Sequence, residues 1–359
     1  MSKNKLTGVS LFSSAGIAET YFEQINVKIE VANEIERKRC EFFSHLYPEV
    51  KMIHGDIQNE SIKNEIIEHS QGKEFLIATP PCQGFSTLGT TKKTTDLIYD
   101  KRNFLIFDVI EIIDNSDFEF ILIENVPRFL KLFYPYKDSF EGIEFILKDH
   151  YQNRYEIKVD VFDAKDLGVP QYRKRSIIRM FKKHHKWEDP ELLEKPISLK
   201  EAIGHLPSLE SGQKSSIRFH NAKTHNERDI KAMKHTPEGK SAMLNSVHYP
   251  KKVDGTKISG FHNTYKRMRW DEPAKARTTN SGNIGSHNNV HPGKELKDGT
   301  YSDARVLTLL ETFIVSSLPV NWNVPDWATD SFIRKMIGEA IPPLMCKKIV
   351  EKIEFNETE

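Results

Sequence analysis

The stretch Phe75-Leu76-Ile77-Ala78-Thr79-Pro80-Pro81-Cys82-Gln83-Gly84-Phe85-Ser86 is an apolar run that stops abruptly at two prolines. A short apolar run bounded by turn residues reads as a buried β-strand. The prolines stiffen its exit and withhold two backbone donors. They present Cys82 at the head of the following loop. A cysteine used for packing is expected inside an apolar run. Cys82 stands beyond the run, which favours a reactive thiol; the alternative is an inert loop thiol. The chain has two other cysteines, Cys40 and Cys346, and no C-x-x-C pair. A thiolate metal site or disulfide framework is therefore not expected, no metal is assigned, and the sparse count fits a reducing cytosol.

Working outward, Leu6–Phe12, Lys28–Ala32, Lys51–Ile53, Phe118–Ile123, Tyr155–Phe162 and Ser176–Phe181 also read as strands. Helical patterns lie between them at Ile35–Leu46, Ser61–Glu68, Asn103–Asn115 and Ser139–Asp149. This alternation predicts an α/β fold with a mostly parallel, Rossmann-like sheet. Asp163–Arg175 lacks helical periodicity, so the last two strands are expected to form an antiparallel hairpin at the sheet edge. After Lys186, Gly, Pro, His and Lys become frequent and periodicity weakens. Helical patterning returns at Ser302–Ser316 and Phe332–Ile353. The expected organisation is a catalytic and cofactor-binding domain over 1–186, a smaller irregular domain over 187–320, and a C-terminal helix over 321–359 that returns to the first domain.

In open parallel sheets, ligands bind at the carboxyl ends of strands. The first such end reads Leu11-Phe12-Ser13-Ser14-Ala15-Gly16, a small-residue turn without the dinucleotide fingerprint G-x-G-x-x-G. The second supplies Glu34, placed to bind ribose hydroxyls, and the third supplies Asp56, placed to meet an adenine amino group. Each could instead be a helix N-cap. Together they suggest an adenosine-containing cofactor with no pyrophosphate cradle. The fifth strand ends Ile121-Leu122-Ile123-Glu124-Asn125-Val126-Pro127. Partial desolvation would suit Glu124 to donate a proton; the alternative is a capping carboxylate. In Gln171-Tyr172-Arg173-Lys174-Arg175, strand alternation would project Gln171, Arg173 and Arg175 together. Their guanidinium groups offer paired donors for a keto oxygen or a phosphate, or they are a solvated edge.

The 359 residues carry a net charge of +1, with 29% charged and 38% hydrophobic residues. The distribution is uneven. Gln213–Arg277 holds 15 Lys and Arg against 6 Asp and Glu, a net of +9 that leaves −8 elsewhere. Such a segment fits a polyanion-binding face or a lysine-rich solvated surface. No apolar run approaches the roughly 20 residues a membrane helix needs. Met1–Lys5 is polar and leads straight into a strand, so no signal peptide is read. The expectation is a cytoplasmic protein with no membrane partner.

Taken in order, these segments resemble the DNA (cytosine-5) methyltransferases. Leu11–Gly16, Pro80–Ser86, Asp100–Asn103, Glu124–Val126, Gln171–Arg175, Arg305–Thr308 and Gly338–Pro343 are similar to that family's successive motifs. Thr278–Gly282 and His291-Pro292 are similar to the motif that organises its recognition domain. The resemblance implies an S-adenosylmethionine-dependent methyltransferase fold with a target-recognition domain. S-adenosyl-L-methionine is then bound around Phe12, Ser14, Gly16, Glu34, Ile35, Asp56, Ile57, Pro80, Glu339 and Ala340. Catalysis is implied for Cys82, Glu124, Arg173 and Arg175. Contacts to duplex DNA are implied for Ser86, Lys92, Lys93, Arg102, Arg267 and Arg269, of which the last two could instead brace the domain. The target base must leave the stack to be reached, and Thr87–Arg102 could close over it as a lid.

Two positions depart from the family pattern. Ser14 stands where a glycine is usual, and Glu339 where an asparagine is usual. Serine fits if that turn does not need a positive φ; otherwise it costs on the order of 1 kcal/mol. The resemblance further implies a monomeric bacterial restriction-modification enzyme, with a separately acting cognate endonuclease possible. RNA cytosine-5 methylation and a non-catalytic DNA-binding relative are the alternatives. The tRNA-modifying branch carries a Cys-Phe-Thr tripeptide in its recognition region, and no cysteine lies between Cys82 and Cys346.

Overall fold

The computed structural model describes residues 5–81 and 104–355. Seven strands form the main sheet: β1 (Leu6–Leu11), β2 (Val27–Glu34), β3 (Lys51–His54), β4 (Phe75–Ala78), β5 (Phe120–Asn125), β8 (Tyr155–Asp163) and β9 (Lys174–Lys182). Their order is β3-β2-β1-β4-β5-β9-β8. Strands β1 to β5 pair in parallel, whereas β9 runs antiparallel to both β5 and β8. This matches the expected α/β sheet with a terminal antiparallel hairpin.

Every residue of β4 and β5 is buried. Near-continuous apolar strands of this kind need cover on both faces. On one face, helix α3 (Leu105–Asp114) turns Leu105, Ile106, Val109, Ile110, Ile112 and Ile113 inward. Helices α1 (Arg37–Leu46), α2 (Glu60–Ser70) and α4 (Ile143–Tyr151) add to the layers. Asn59 caps α2 by accepting from the Ser61 amide. The chain leaves β1 toward β2 and β3, then crosses back to β4 on the other side of β1. That reversal opens a crevice at the carboxyl ends of β1 and β4.

Three expected elements differ. Part of the helical pattern over Ser139–Asp149 is a strand: β6 (Phe133–Tyr136) and β7 (Ser139–Gly142) form a hairpin whose turn holds Lys137 at φ 52. The C-terminal helix is broken into α8 (Asp330–Glu339) and α9 (Pro343–Val350). Pro342 and Pro343 disfavour helical conformation at the residues before them. Only Leu309–Val315, helix α7, is helical within Ser302–Ser316, because Thr308 and Glu311 form a capping box that starts it.

The chain divides into two compact units. One comprises Met1–Asp163, Lys174–Glu191 and Cys346–Glu359; the other comprises Ala164–Arg173 and Leu192–Met345. The two units are thus interleaved along the chain. A short pair, β10 (Lys186–Trp187) with β11 (Ile353–Glu354), ties the end of the described chain to the first unit. The second unit has helices α5 (Leu199–Ile203), α6 (Glu227–Lys234), α7 and α8 but otherwise little regular structure. Apolar clusters in it centre on Met233, Met243, Ile284 and Val306, and on Leu199, Met268 and Leu307. No helix among the described residues is long and apolar enough to cross a membrane.

Glu19 is one of several buried acids in the first unit. It lies in the 3-10 helix Ala18–Ile25 after β1 and accepts a 2.5 Å hydrogen bond from the Ser10 hydroxyl. Burial pushes its carboxyl up to about 7, against the help of Ser10. A folded-state pKa above the unfolded value favours folding at low pH and loses that contribution as pH rises toward 7. Replacing Glu19→Gln should remove this slope. By denaturant titration, the wild-type stability difference between about pH 5 and about pH 8 should shrink by about 2 kcal/mol. An unchanged difference would show that Glu19 titrates normally.

Candidate active site

The carboxyl rim of β1, β4 and β5 is fixed by a few side-chain bonds to backbone. The β4–β5 register pairs Ala78 with Ile123, so Glu124 stands level with Thr79 on the neighbouring strand. The Thr79 amide donates to Leu11 O at 3.2 Å, and its hydroxyl donates to Phe12 O at 3.2 Å. Pro80 and Pro81 withhold donors, yet the Pro80 carbonyl still needs one. Asn125 supplies it, Nδ2 donating to Pro80 O at 2.9 Å. Asn125 was outside the sequence-read catalytic set. The signal for it was the buried carbonyl that two prolines leave unsatisfied.

Glu124 and Arg175 form a buried ion pair, with Nε 2.6 Å from Oε1. Burial lowers the pKa of the Arg175 guanidinium, and the charge of Glu124 opposes that. Arg175 also donates to Lys174 O. Gln171 and Arg173 do not project with it, contrary to the alternation read from sequence. Residues 171–173 precede β9, and their side chains bond within the second unit. Gln171 donates to Val315 O and accepts from the Arg277 amide. Arg173 donates to Arg277 O at 3.0 Å and to Gly338 O at 2.8 Å.

The first turn is left-handed at Phe12 (φ 59), Ser14 (φ 49) and Gly16 (φ 68). Ser14 therefore occupies a conformation that favours glycine, and bears the cost of about 1 kcal/mol. A Cβ at Gly16 would lie 2.3 Å from the ring of Tyr47, whose hydroxyl donates to Gly16 O. Glu34 terminates β2 and accepts from the amides of Ser14, at 2.9 Å, and Glu36, at 2.8 Å. Burial raises its pKa despite those two bonds. Asp56 is exposed and accepts from the Gln58 amide, and Ile35 is exposed beside Glu34. The side chain of Ile57 is committed to the hydrophobic core, which leaves only its backbone for a ligand.

The family model for C-5 cytosine-specific DNA methylase matches residues 6–354. The chain belongs to the C-5 cytosine-specific DNA methylase family. The Type II methyltransferase M1.HgaI of Avibacterium volantium is 46% identical over 357 residues, covering 99% of each chain. M1.HphI of Haemophilus parahaemolyticus, also a Type II methyltransferase, is 27% identical over 98% of this chain and 88% of its own. Two solved structures share the fold. A putative DNA modification methyltransferase encoded within an E. coli prophage aligns with a TM-score of 0.68 at 17% identity, covering 97% of this chain and 98% of that one. The Entamoeba histolytica methyltransferase EhMeth aligns with a TM-score of 0.65 at 16% identity, covering 98% of both. The protein is a DNA (cytosine-5) methyltransferase of the restriction-modification type, and DNA is its substrate.

Cys82 of this methyltransferase lies outside the described residues, as do Ser86, Lys92, Lys93 and Arg102. Glu339 and Ala340 close α8 in the second unit, where the Ala340 amide donates to Met336 O. The neighbouring Gly338 packs closely, since a Cβ there would lie 2.4 Å from the Thr279 nitrogen. Arg267 is fully buried and donates to the carbonyls of Thr236, His291 and Met233, which is the bracing alternative left open for it. Arg269 is at the surface of the methyltransferase, engaged with Asp271 at 2.6 Å.

The Glu124–Arg175 pair makes a testable demand on stability. Removing one partner strands the other charge in a buried setting, at about 3 kcal/mol. Glu124→Gln and Arg175→Met should each destabilise the enzyme by that order. The double variant should be less destabilised than the sum, with a coupling of about 1–3 kcal/mol in a denaturation cycle. Simple additivity would mean that the two groups do not support each other.

Proposed function

We propose that this methyltransferase takes its methyl group from S-adenosyl-L-methionine and acts on carbon 5 of a flipped cytosine in a specific duplex DNA sequence, through covalent addition of Cys82. The observation that carries this reading is the buried Glu124–Arg175 pair beside the strand whose exit leads to Cys82. The rim suits the cofactor. The Ser14 hydroxyl is buried without a hydrogen-bond partner, and each oxygen of Glu34 accepts one amide with a lone pair to spare. Phe12, Ser14, Gly16, Glu34, Ile35, Asp56, Pro80 and the Ile57 backbone would hold the adenosine part. When bound, the cofactor supplies an electrophilic methyl group on a cationic sulfur.

Carbon 5 of cytosine is a poor nucleophile. Addition of the Cys82 thiolate to carbon 6 breaks the ring's aromaticity and makes carbon 5 enamine-like. Glu124 holds ring nitrogen 3 and steadies the charge that develops there. Arg175 fixes Glu124 and faces the 2-keto oxygen, while Arg173 braces the segment that carries it. After methylation, loss of the carbon 5 proton and expulsion of Cys82 restore the aromatic ring. The other thiols are poor candidates for this role. Burial pushes Cys40 up to about 12 and Cys346 well above its ordinary value, and neither is exposed.

The DNA-facing surface of the second unit is assigned to the hairpin around Lys251–Lys257. These two lysines pair across a turn closed by Asp254 and Thr256. The turn exposes Val253 at 85%, with Phe261 nearby at 75%. Apolar tips flanked by Lys251, Lys252 and Lys257 suit contact with bases between phosphates. The enzyme is read as a monomer that works in the cytoplasm, alongside a separately acting endonuclease.

Two experiments test this. DNA carrying 5-fluorocytosine at the target should trap a covalent adduct, because the fluorine cannot leave as a proton does. Cys82→Ala should abolish both adduct and methyl transfer, and an adduct surviving that change would refute the mechanism. Replacing Lys251 and Lys252 with Ala should leave the melting temperature unchanged and reduce the slope of log affinity against log salt by about 2. An unaltered slope would move the DNA face elsewhere.

A further inference from the structure

At the end of the sheet opposite the catalytic rim, Glu119 stands one residue before β5 and faces the turn between β9 and β10. Its Oε2 lies 3.0 Å from Nε2 of His185 and 3.6 Å from Nε2 of His184. All three atoms fall within 4.8 Å of one another. Ligand atoms bound tetrahedrally to zinc stand about 3.3 Å apart, from bond lengths near 2.0 Å. The two separations from Glu119 bracket that value, and the third, between the two histidines, is within 4.8 Å.

The surroundings are built to hold these groups. Phe120 and Phe355 each stack against the His185 ring, with centroids 4.7 Å away, and restrict its plane. Burial, with His184 and Lys182 close by, lowers the His185 pKa and keeps the imidazole neutral, against the pull of Glu119. Lys182 bonds the other oxygen of Glu119, Oε1, at 2.7 Å and also bonds Asp117 at 3.0 Å. Arg154 takes the same Asp117. Both cations are therefore engaged away from the Oε2 face. His184 is half-exposed, which gives an ion a way in from solvent and leaves room for water as a fourth ligand.

We propose that Glu119, His184 and His185 bind a divalent transition-metal ion, zinc or one of similar ligand preference, that fastens the β9–β10 turn to the head of β5. Two imidazoles and one carboxylate select such ions over magnesium or calcium, which prefer all-oxygen sets. Because Phe355 follows β11 and packs on His185, the ion would also secure the C-terminal strand pair. The site does not touch the catalytic groups, so its role is structural.

The test is a titration of the full-length, untagged protein with cobalt(II), read by its visible absorption, followed by displacement with zinc. One ion per chain with a tetrahedral spectrum is expected, together with a rise in Tm on zinc binding and no effect of magnesium. Glu119→Gln and His184→Ala should each weaken binding by about tenfold or more, since loss of a ligand exceeds the usual effect of losing an outer-shell partner. His184 is half-exposed, so the His184→Ala protein should keep wild-type metal-free melting and methyl transfer, which separates lost binding from misfolding. Absence of saturable binding would overturn the proposal. So would binding that persists in His184→Ala, or binding that disappears in Cys82→Ser.

Discussion

The carboxyl rim of the sheet depends on one reversal of strand direction. Strands β1 to β5 all deliver their carboxyl ends to the same side. Strand β9 runs the other way beside β5, pairing Asn125 with Ser176. Its first residues therefore arrive where the last residues of β5 leave. An acid at the end of one strand thus meets an arginine at the start of the next, and Glu124 and Arg175 pair at 2.6 Å. A wholly parallel sheet would carry the arginine to the far end, a strand length away. Neither charge would be tolerated at that depth without the other.

The rest of the rim serves to hold this pair next to the exit of β4. Asn125 donates to Pro80 O, while Ser176 donates to the carbonyls of Asn125 and Val126. Two residues that flank the ion pair therefore fix the backbone around it. Thr79 extends the same logic to β1 through Leu11 and Phe12. The left-handed turn at Ser14 is the costly element, and it is retained where the backbone must bend to bring its amide to Glu34. Strain at a ligand-facing turn supported by surrounding bonds is a common property of functional sites.

How much of this was legible in sequence follows from how regular each part is. The parallel core was readable because Phe75–Ala78 and Phe120–Ile123 are apolar on both faces and end in turn residues. Glu124 was readable as a strand-end acid because it follows the apolar run Ile121–Ile123, and it lies near the end of β5. The strand phase assumed for Gln171–Arg175 failed because that stretch is not yet a strand at its start. Gln171 and Arg173 make their bonds to Val315, Arg277 and Gly338, and the ladder with β5 begins only at Ser176. Periodicity gives direction only where a ladder already fixes the backbone.

The second unit shows how its backbone uses Arg267. A domain with little helix or sheet has many backbone carbonyls with no ladder partner, and buried ones must find donors. Arginine carries five N–H donors on a planar fork and can satisfy several at once. Arg267 serves Thr236, Met233 and His291; Arg277 serves Lys275 and Asn288; Arg334 serves Leu307. Arg305 bonds Leu209 and pairs with Asp303 and Glu311. These arginines take the place that hydrogen-bonded strands hold in the first unit. Two of them, Arg267 and Arg277, lie inside the basic segment, so part of its excess charge is internal. The ten lysines of that segment are all exposed or half-buried, whereas Arg267 and Arg277 are buried. A sequence count cannot separate these uses, but the need of irregular backbone for donors predicts which cation goes inside.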